Sequence, residues 1–190
     1  MRDGLALGRP VLQAVRRRQS RSHVTDAAPT HEQLLPLVEA VSSIADHGAL
    51  QPWRLIELRG AAREWLGDAF VAASGLEGHA AAKLRAKPSR APLLIAVVVA
   101  RTPSIKVPSW EQDAVASGVA HMLSLLLDEA GWGVMWRSGG HTRAHQVAAM
   151  HGLAEHEELM GWLYVGGVPE QTKPERRTLR DPEDALTELS

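Results

Sequence analysis

The sequence predicts a three-layer domain, α/β or α+β, with helices covering both faces of a sheet. Three observations predict it. Residues 93–100, LLIAVVVA, are apolar at every position, as a strand must be when both its faces are covered. Helical and strand-like patterns alternate along the chain: helices, strand, helices, strand, long helix, strand, helix, strand. The chain has 190 residues, 45% of them apolar, enough for one domain with a real core. The links between strands are long enough for crossovers, so spacing leaves the strand order open.

Each element has its own signal. Residues 10–18 read as a helix with Pro10 at its first position and Val11, Leu12 and Val15 on one side. Thr30 and Gln33 fit a capping box, followed by a stripe of Leu34, Leu37, Val38, Val41 and Ile44. Pro36 kinks that helix or begins it. Residues 53–58 form a short strand. Residues 61–74 and 78–87 read as helices separated by Gly75, the second ending before Pro88. Ser109 and Gln112 suggest a second capping box opening a helix that stops at Gly131. Val115, Val119, Met122, Leu126 and Ala130 give its apolar spacing, and small residues from Ala114 to Ala120 would let another helix approach. Residues 132–136 and 159–165 are strands, and 143–150 a helix with Thr142 as a candidate cap. The domain is expected to span 10–168, with an extension at 1–9 and a charged tail at 169–190 that lies along a surface or frays.

Composition excludes several chemistries. Lys and Arg total 21 against 22 Asp and Glu, so no strong field points to nucleic acid. Cysteine is absent, which removes disulfides, thiolate nucleophiles and Cys-held metal clusters. Redox chemistry would need a bound cofactor. No apolar run reaches the ~20 residues of a membrane span, and the start is a poor signal peptide. A cytoplasmic protein is expected. His141 and His145 are four apart, but no glutamate follows His141, so the zinc-protease pattern is missing. The G-x-S-x-G, G-x-G-x-x-G and P-loop motifs are missing too.

Three clusters remain. AVRRRQSRS places Arg16, Arg17, Arg18 and Arg21 around Gln19 and Ser20 at a helix end. It suits a phosphate, and by composition alone more readily a solvated helix terminus. ADHGALQPW sets Asp46, His47, Gln51 and Trp53 at one helix-to-strand corner. It suits a ligand, and taken alone more readily a turn with a satisfied histidine. WGVMWRSGGHT ends a strand with Trp136, Arg137 and Ser138 before two glycines, where ligands of α/β sheets gather and where a plain turn also fits.

Together with APTHEQL, RAPLLIAVV, KVPSWEQD and GWLYVGGVP, these stretches resemble the nitroreductase family of FMN-dependent oxidoreductases, in its short bacterial YdjA-like subgroup of NAD(P)H nitroreductases. The resemblance covers about residues 10–168. It implies a homodimer of α+β subunits with two FMN sites at the interface. It places FMN phosphate at Arg18, Gln19 and Ser20, with Gln19 standing where the family has arginine and Arg17 or Arg21 able to compensate. It puts Trp136, Arg137 and Ser138 around the flavin, and lets Ser43 and His47, with Gln51, reach the partner's flavin. Ala45 stands where a proline is common. A nicotinamide contact is implied over Leu126, Leu127, Asp128, Glu129, Ala130 and Gly131. The implied activity is NAD(P)H-driven reduction of nitroaromatic, quinone-like or related small acceptors through a ping-pong hydride cycle, with no acid, base or nucleophile from the protein. The alternatives are a flavin-binding or sensing protein with negligible turnover, or a flavoenzyme of this scaffold with another substrate.

Overall fold

The computed structural model describes residues 9–170 and 179–189. The expected extension at 1–9 falls outside these except for Arg9, and so does the part of the tail at 171–178. Helices α1 (Pro10–Arg17), α2 (His31–Val41), α3 (Ala61–Ser74), α4 (Gly78–Arg85), α5 (Ser109–Glu129) and α6 (His145–Met150) surround strands β1 (Trp53–Leu58), β2 (Leu93–Ala100), β3 (Trp132–Arg137) and β4 (Glu157–Gly167). The sheet order is β1-β2-β4-β3, and every pairing is antiparallel. No described helix is long and apolar enough to cross a membrane.

Strand β2 is buried on both sides, and its alternate residues serve two cores. Leu94, Ala96 and Val98 pack with Leu66, Phe70, Leu84 and Val147, under α3, α4 and α6. Leu93, Ile95 and Val97 pack with Leu34, Val41, Val119, Leu123 and Leu127, under α2 and α5. The three layers follow from this alternation. A bulge between Val97 and Val98 breaks the β2–β4 register. It changes parity, so Leu159 and Trp162, three apart, face the same core.

Several local expectations shift. The Thr30–Gln33 capping box forms with both bonds, while Ile44 lies beyond the end of α2. The second box does not form. Pro108 is the N-cap of α5, and Gln112 is buried instead, its amide bonding Thr102 N–H, Thr102 C=O and Val107 C=O. An amide placed one turn inside reaches the loop that feeds the helix, and the backbone groups there need partners once buried. The buried stripe of α5 runs through Val115, Val119, Leu123 and Leu127, whereas Met122 is 41% exposed. Ala116 and Ala120 face the sheet, and Gly118 receives the Ile44 side chain, so part of the small-residue face is used within the chain. Thr142 is not a cap for α6. Ala144 holds that place, and the Thr142 hydroxyl donates to Gly139 C=O at 2.7 Å.

Candidate functional site

Register pairs Arg137 with Trp162 and Met135 with Tyr164, so four side chains share one face at the end of β3. A cavity of about 390 Å³ opens on that face, against these residues and Phe70 of α3, Ser138, Gly139 and His141 beyond β3, and Lys87 and Arg90 in the turn before β2. Phe70 meets Trp162 edge-on at 5.3 Å and stacks with His141 at 4.9 Å between ring centroids. The Arg137 guanidinium lies 5.3 Å from the centre of the Tyr164 ring. Burial pushes the Tyr164 hydroxyl pKa up, while the charges of Arg137 and Arg90 pull it back.

A second cavity of about 530 Å³ adjoins this one and shares Arg90 and Arg137 as walls. Its other lining comes from Ser22, His23 and Val24. The segment is fixed there by backbone bonds, Arg21 N–H to Val134 C=O at 2.9 Å and Thr25 N–H to Gly167 C=O at 2.8 Å. A Cβ on Gly166 would meet the Thr25 carbonyl at 2.7 Å, so glycine lets this segment lie directly on β4. The stretch predicted to hold phosphate therefore runs beside the stretch predicted to hold the flavin. Arg18 caps α1, and Arg18, Gln19 and Ser20 are half-buried just ahead of this wall without lining either cavity. With its amide oriented to satisfy both groups, Gln19 accepts from Arg21 Nη2 at 2.8 Å and Nη1 at 3.1 Å.

Among the described residues, no carboxylate lines either cavity, and three cations, Lys87, Arg90 and Arg137, face them. Among the described residues, four buried side-chain N–H groups have no acceptor: Nε of Arg21, Arg63 and Arg137, and Nε1 of Trp136. Three of the four belong to the 18–22 and 136–138 stretches. An unpaired buried donor costs on the order of 1–3 kcal/mol, so unpaired donors on these two stretches fit a ligand with many acceptors. FMN has such an acceptor set in its phosphate, ribityl chain and pyrimidine edge, and the aromatic wall fits a flat ring. Trp136 alternates toward α5, where His121 meets it edge-on at 5.1 Å, and it still forms part of the wall of the first cavity.

Ser43, His47 and Gln51 lie elsewhere in the chain. The Ser43 hydroxyl donates to Ala40 C=O, Gln51 N–H donates to the Asp46 carboxylate at 2.6 Å, and His47 Nδ1 lies 2.7 Å from Glu111 Oε2. The corner is strained, with positive φ at Gly48 (78°), Ala49 (51°) and Gln51 (46°). His47 and Glu111 sit on an otherwise apolar cavity of about 350 Å³, with Ile44, Ala45, Val107 and Trp110 among its walls. That cavity shares no residue with the Arg137 cavities.

The nicotinamide stretch closes α5. Leu127 is wholly enclosed in the core and Leu126 packs against it, so Leu127 has no surface to offer a cosubstrate. Asp128, Glu129, Ala130 and Gly131 lie toward the outside, about 20 Å from Arg137 along β3 at strand rise. The sequence reading missed Phe70, Lys87, Arg90, His141, Trp162 and Tyr164 as cavity walls. Lys87 and Arg90 had a signal, two cations bracketing Pro88 just before the fully buried strand. Phe70 and the β4 aromatics carried none beyond core periodicity. Among the described residues, no group of three or more His, Asp and Glu is placed to hold a metal.

Comparison with known proteins identifies the family and the fold. The nitroreductase family model matches residues 14–167. The Escherichia coli (strain K12) protein named "Putative NAD(P)H nitroreductase YdjA" is 34% identical over 152 residues, 78% of this chain and 83% of that protein. The crystal structure of a nitroreductase-like family protein from Bacillus cereus superposes with a TM-score of 0.82 at 22% identity, over 95% of this chain and 96% of that one. A nitroreductase with bound FMN from Bacteroides fragilis gives a TM-score of 0.75 at 16% identity, over 96% and 100%. The match spans both predicted ligand stretches and the sheet that joins them, and the chain belongs to the nitroreductase family.

Proposed function

We propose that the protein is an FMN-dependent oxidoreductase that uses NAD(P)H to reduce nitroaromatic, quinone-like or related acceptors, as a cytoplasmic homodimer. The observation that carries this reading is the pair of buried, unpaired donors of Trp136 and Arg137 on an aromatic cavity walled by cations, with that of Arg21 next to the segment that lines the adjoining cavity. The names of its relatives support it, one an NAD(P)H nitroreductase and one a structure with FMN bound.

Bound FMN would supply the hydride chemistry in a ping-pong cycle, and the chain supplies position and electrostatics. Arg18 and Ser20 hold the phosphate through charge-assisted and neutral hydrogen bonds, with Arg21 oriented by Gln19 beside them. Arg137 presents a cation to the ring edge, and Ser138 and Trp136 add donors. Ser43, His47 and Gln51 close the site from the partner subunit. Donor and acceptor share one open face in turn, so little of the chain discriminates between acceptors. Asp128, Glu129, Ala130 and Gly131 are the accessible part of the proposed NAD(P)H contact, with Leu126 and Leu127 as the packing beneath.

Exposed apolar surface supports the dimer reading. Val11 (70%), Val15 (51%), Trp110 (68%) and Met122 (41%) leave apolar area exposed on α1 and α5. Sedimentation should give about twice the 20.6 kDa chain mass. The decisive test is an anaerobic NAD(P)H titration of the purified protein. The expected result is a flavin absorbance band that bleaches with one equivalent of donor and returns with a nitroaromatic or quinone. A colourless protein that takes up no FMN overturns the cofactor reading. A flavin that NADH and NADPH leave oxidised overturns the enzyme reading.

A further inference from the structure

The corner at residues 46–51 is built in an unusual way. Its side chains at His47, Ala49 and Gln51 are exposed, so core packing does not demand its shape. Yet Ala49 and Gln51 adopt left-handed φ, which is strained for a non-glycine residue. Two carboxylates hold it. Asp46 accepts the Gln51 N–H, which closes the backbone, and Glu111 reaches across from the first turn of α5 to the His47 ring. Glu111 keeps 28% of its side-chain surface exposed, and the His47 side chain 59%.

An ionised carboxylate only accepts, so the His47 Nδ1 must carry a proton to make this 2.7 Å contact. No other hydrogen bond to the His47 ring occurs among the described residues. In the neutral ring, Nε2 is then a lone pair pointing away from its own chain. Without a partner, the imidazole of histidine prefers its proton on Nε2, the reverse arrangement. Of the remaining walls of the cavity beside the pair, Ile44, Ala45, Val107, Ala114 and Val115 have no side-chain hydrogen-bonding group, and Trp110 has only a donor, which cannot replace Glu111 as the acceptor of the Nδ1 proton.

We propose that Glu111 is a positioning residue for His47, fixing the Nδ1–H tautomer so that Nε2 is presented as an acceptor to an N–H or O–H group of the ligand in the partner subunit's site. This rests on the proposal that His47 meets the partner's FMN. Flavin N3–H and the ribityl hydroxyls are donors of the kind required. Asp46 and Glu111 together remove freedom from the corner before the ligand arrives, so less entropy is lost on binding.

The test reads the ring directly. Long-range nitrogen–proton NMR of the full-length apoprotein, with His47 neutral, should show the Nδ1–H tautomer in the parent. E111A should shift His47 toward Nε2–H, and E111Q should retain Nδ1–H, because its amide oxygen still accepts. FMN affinity should fall about three- to tenfold in E111A and in H47A, the scale of one hydrogen bond, with the double variant little worse than either. E111Q should bind FMN nearly as the parent does. An Nδ1–H tautomer that persists in E111A overturns the proposal. A shifted tautomer with unchanged FMN affinity overturns its ligand half and leaves the pair a structural tie. A parent protein that binds no FMN fails the cofactor reading, visible before any variant is made, and removes the proposal with it.

Discussion

His151 Nε2 accepts the indole N–H of Trp162 at 3.1 Å, while its Nδ1–H donates to Val147 C=O at 2.8 Å. The ring is buried, 8% exposed, and both nitrogens are committed only while it is neutral. Trp162 is a wall of the Arg137 cavity, so this bond ties α6 to the site. Burial is the main cause that lowers the His151 pKa, Arg54 adds to it, and the Val147 bond opposes it. The unfolded chain therefore binds a proton more readily than the native one. Its stabilisation is present above about pH 6.5 and fades as pH falls below that toward the lower folded value. His151→Gln can make both bonds without titrating. The urea midpoint of the parent should decline between about pH 7 and pH 5 more steeply than that of His151→Gln. Parallel profiles would show that His151 titrates freely. A separate loss comes lower. Arg54 holds Glu157 down to a pKa of about 2, and that contribution disappears as pH falls from about 4.5 toward 2.

Gly161 is the second support of the site. It sits at φ 126°, and a Cβ there would lie 2.5 Å from the Arg137 carbonyl oxygen and 2.8 Å from Trp136 Nε1. The first is backbone and cannot swing aside. Gly161→Ala should destabilise the fold by roughly 2–4 kcal/mol through strain and overpacking, and should displace Trp136 and Arg137. Thermal unfolding with and without FMN checks this. A variant with parental Tm and parental FMN affinity would show that β3 and β4 can part at this point without cost.

These two supports explain what the sequence could and could not reveal. β2 was legible because eight consecutive apolar residues admit one physical reading, and α2 because its cap is a local signature. The stretches 18–20 and 136–138 were legible as ligand-binding only through their resemblance to a family, since their chemistry alone also fits a helix end and a turn. Phe70, Trp162 and Tyr164 were hidden because a wall of a cavity and a member of a core have the same composition and the same period. The bulge that turns Trp162 toward the cavity depends on pairing between distant strands, which no local pattern encodes. Gln112 misled for a related reason. Its spacing from Ser109 matched a capping box, but the loop at 102–107 needed its amide more.

Arg18 tests the phosphate assignment. Losing a charge-assisted bond to a partly buried phosphate costs on the order of 1.5–3 kcal/mol. Arg18→Ala should release FMN at least about tenfold more readily. Riboflavin, which lacks the phosphate, should bind the variant as it binds the parent. Equal losses of FMN and riboflavin would move Arg18 away from the phosphate.

Arg137 tests the ring. Its guanidinium is half-buried between two cavities, against Tyr164, with an Nε–H that no protein group accepts, so it is not directed freely into solvent. Two assignments compete for it. In one it faces the ring edge, where two-electron reduction leaves negative charge near flavin N1 and O2. A fixed cation there favours the reduced form by Coulomb attraction and raises the potential. In the other it serves the phosphate from the shared wall of the second cavity and leaves the ring alone. Arg137→Gln removes the charge and keeps much of the shape. On the first assignment the midpoint potential drops by tens of millivolts, since ~30 mV corresponds to ~1.4 kcal/mol for a two-electron couple. Reduction by NAD(P)H should then slow more than FMN retention weakens. On the second, FMN is lost and the potential of what remains is unchanged. Spectroelectrochemical titration beside stopped-flow reduction separates the two. Lys87 and Arg90 sharpen the comparison, because their charges stay in the cavity when that of Arg137 is removed. A drop of tens of millivolts despite them would mean that the cation nearest the ring is Arg137.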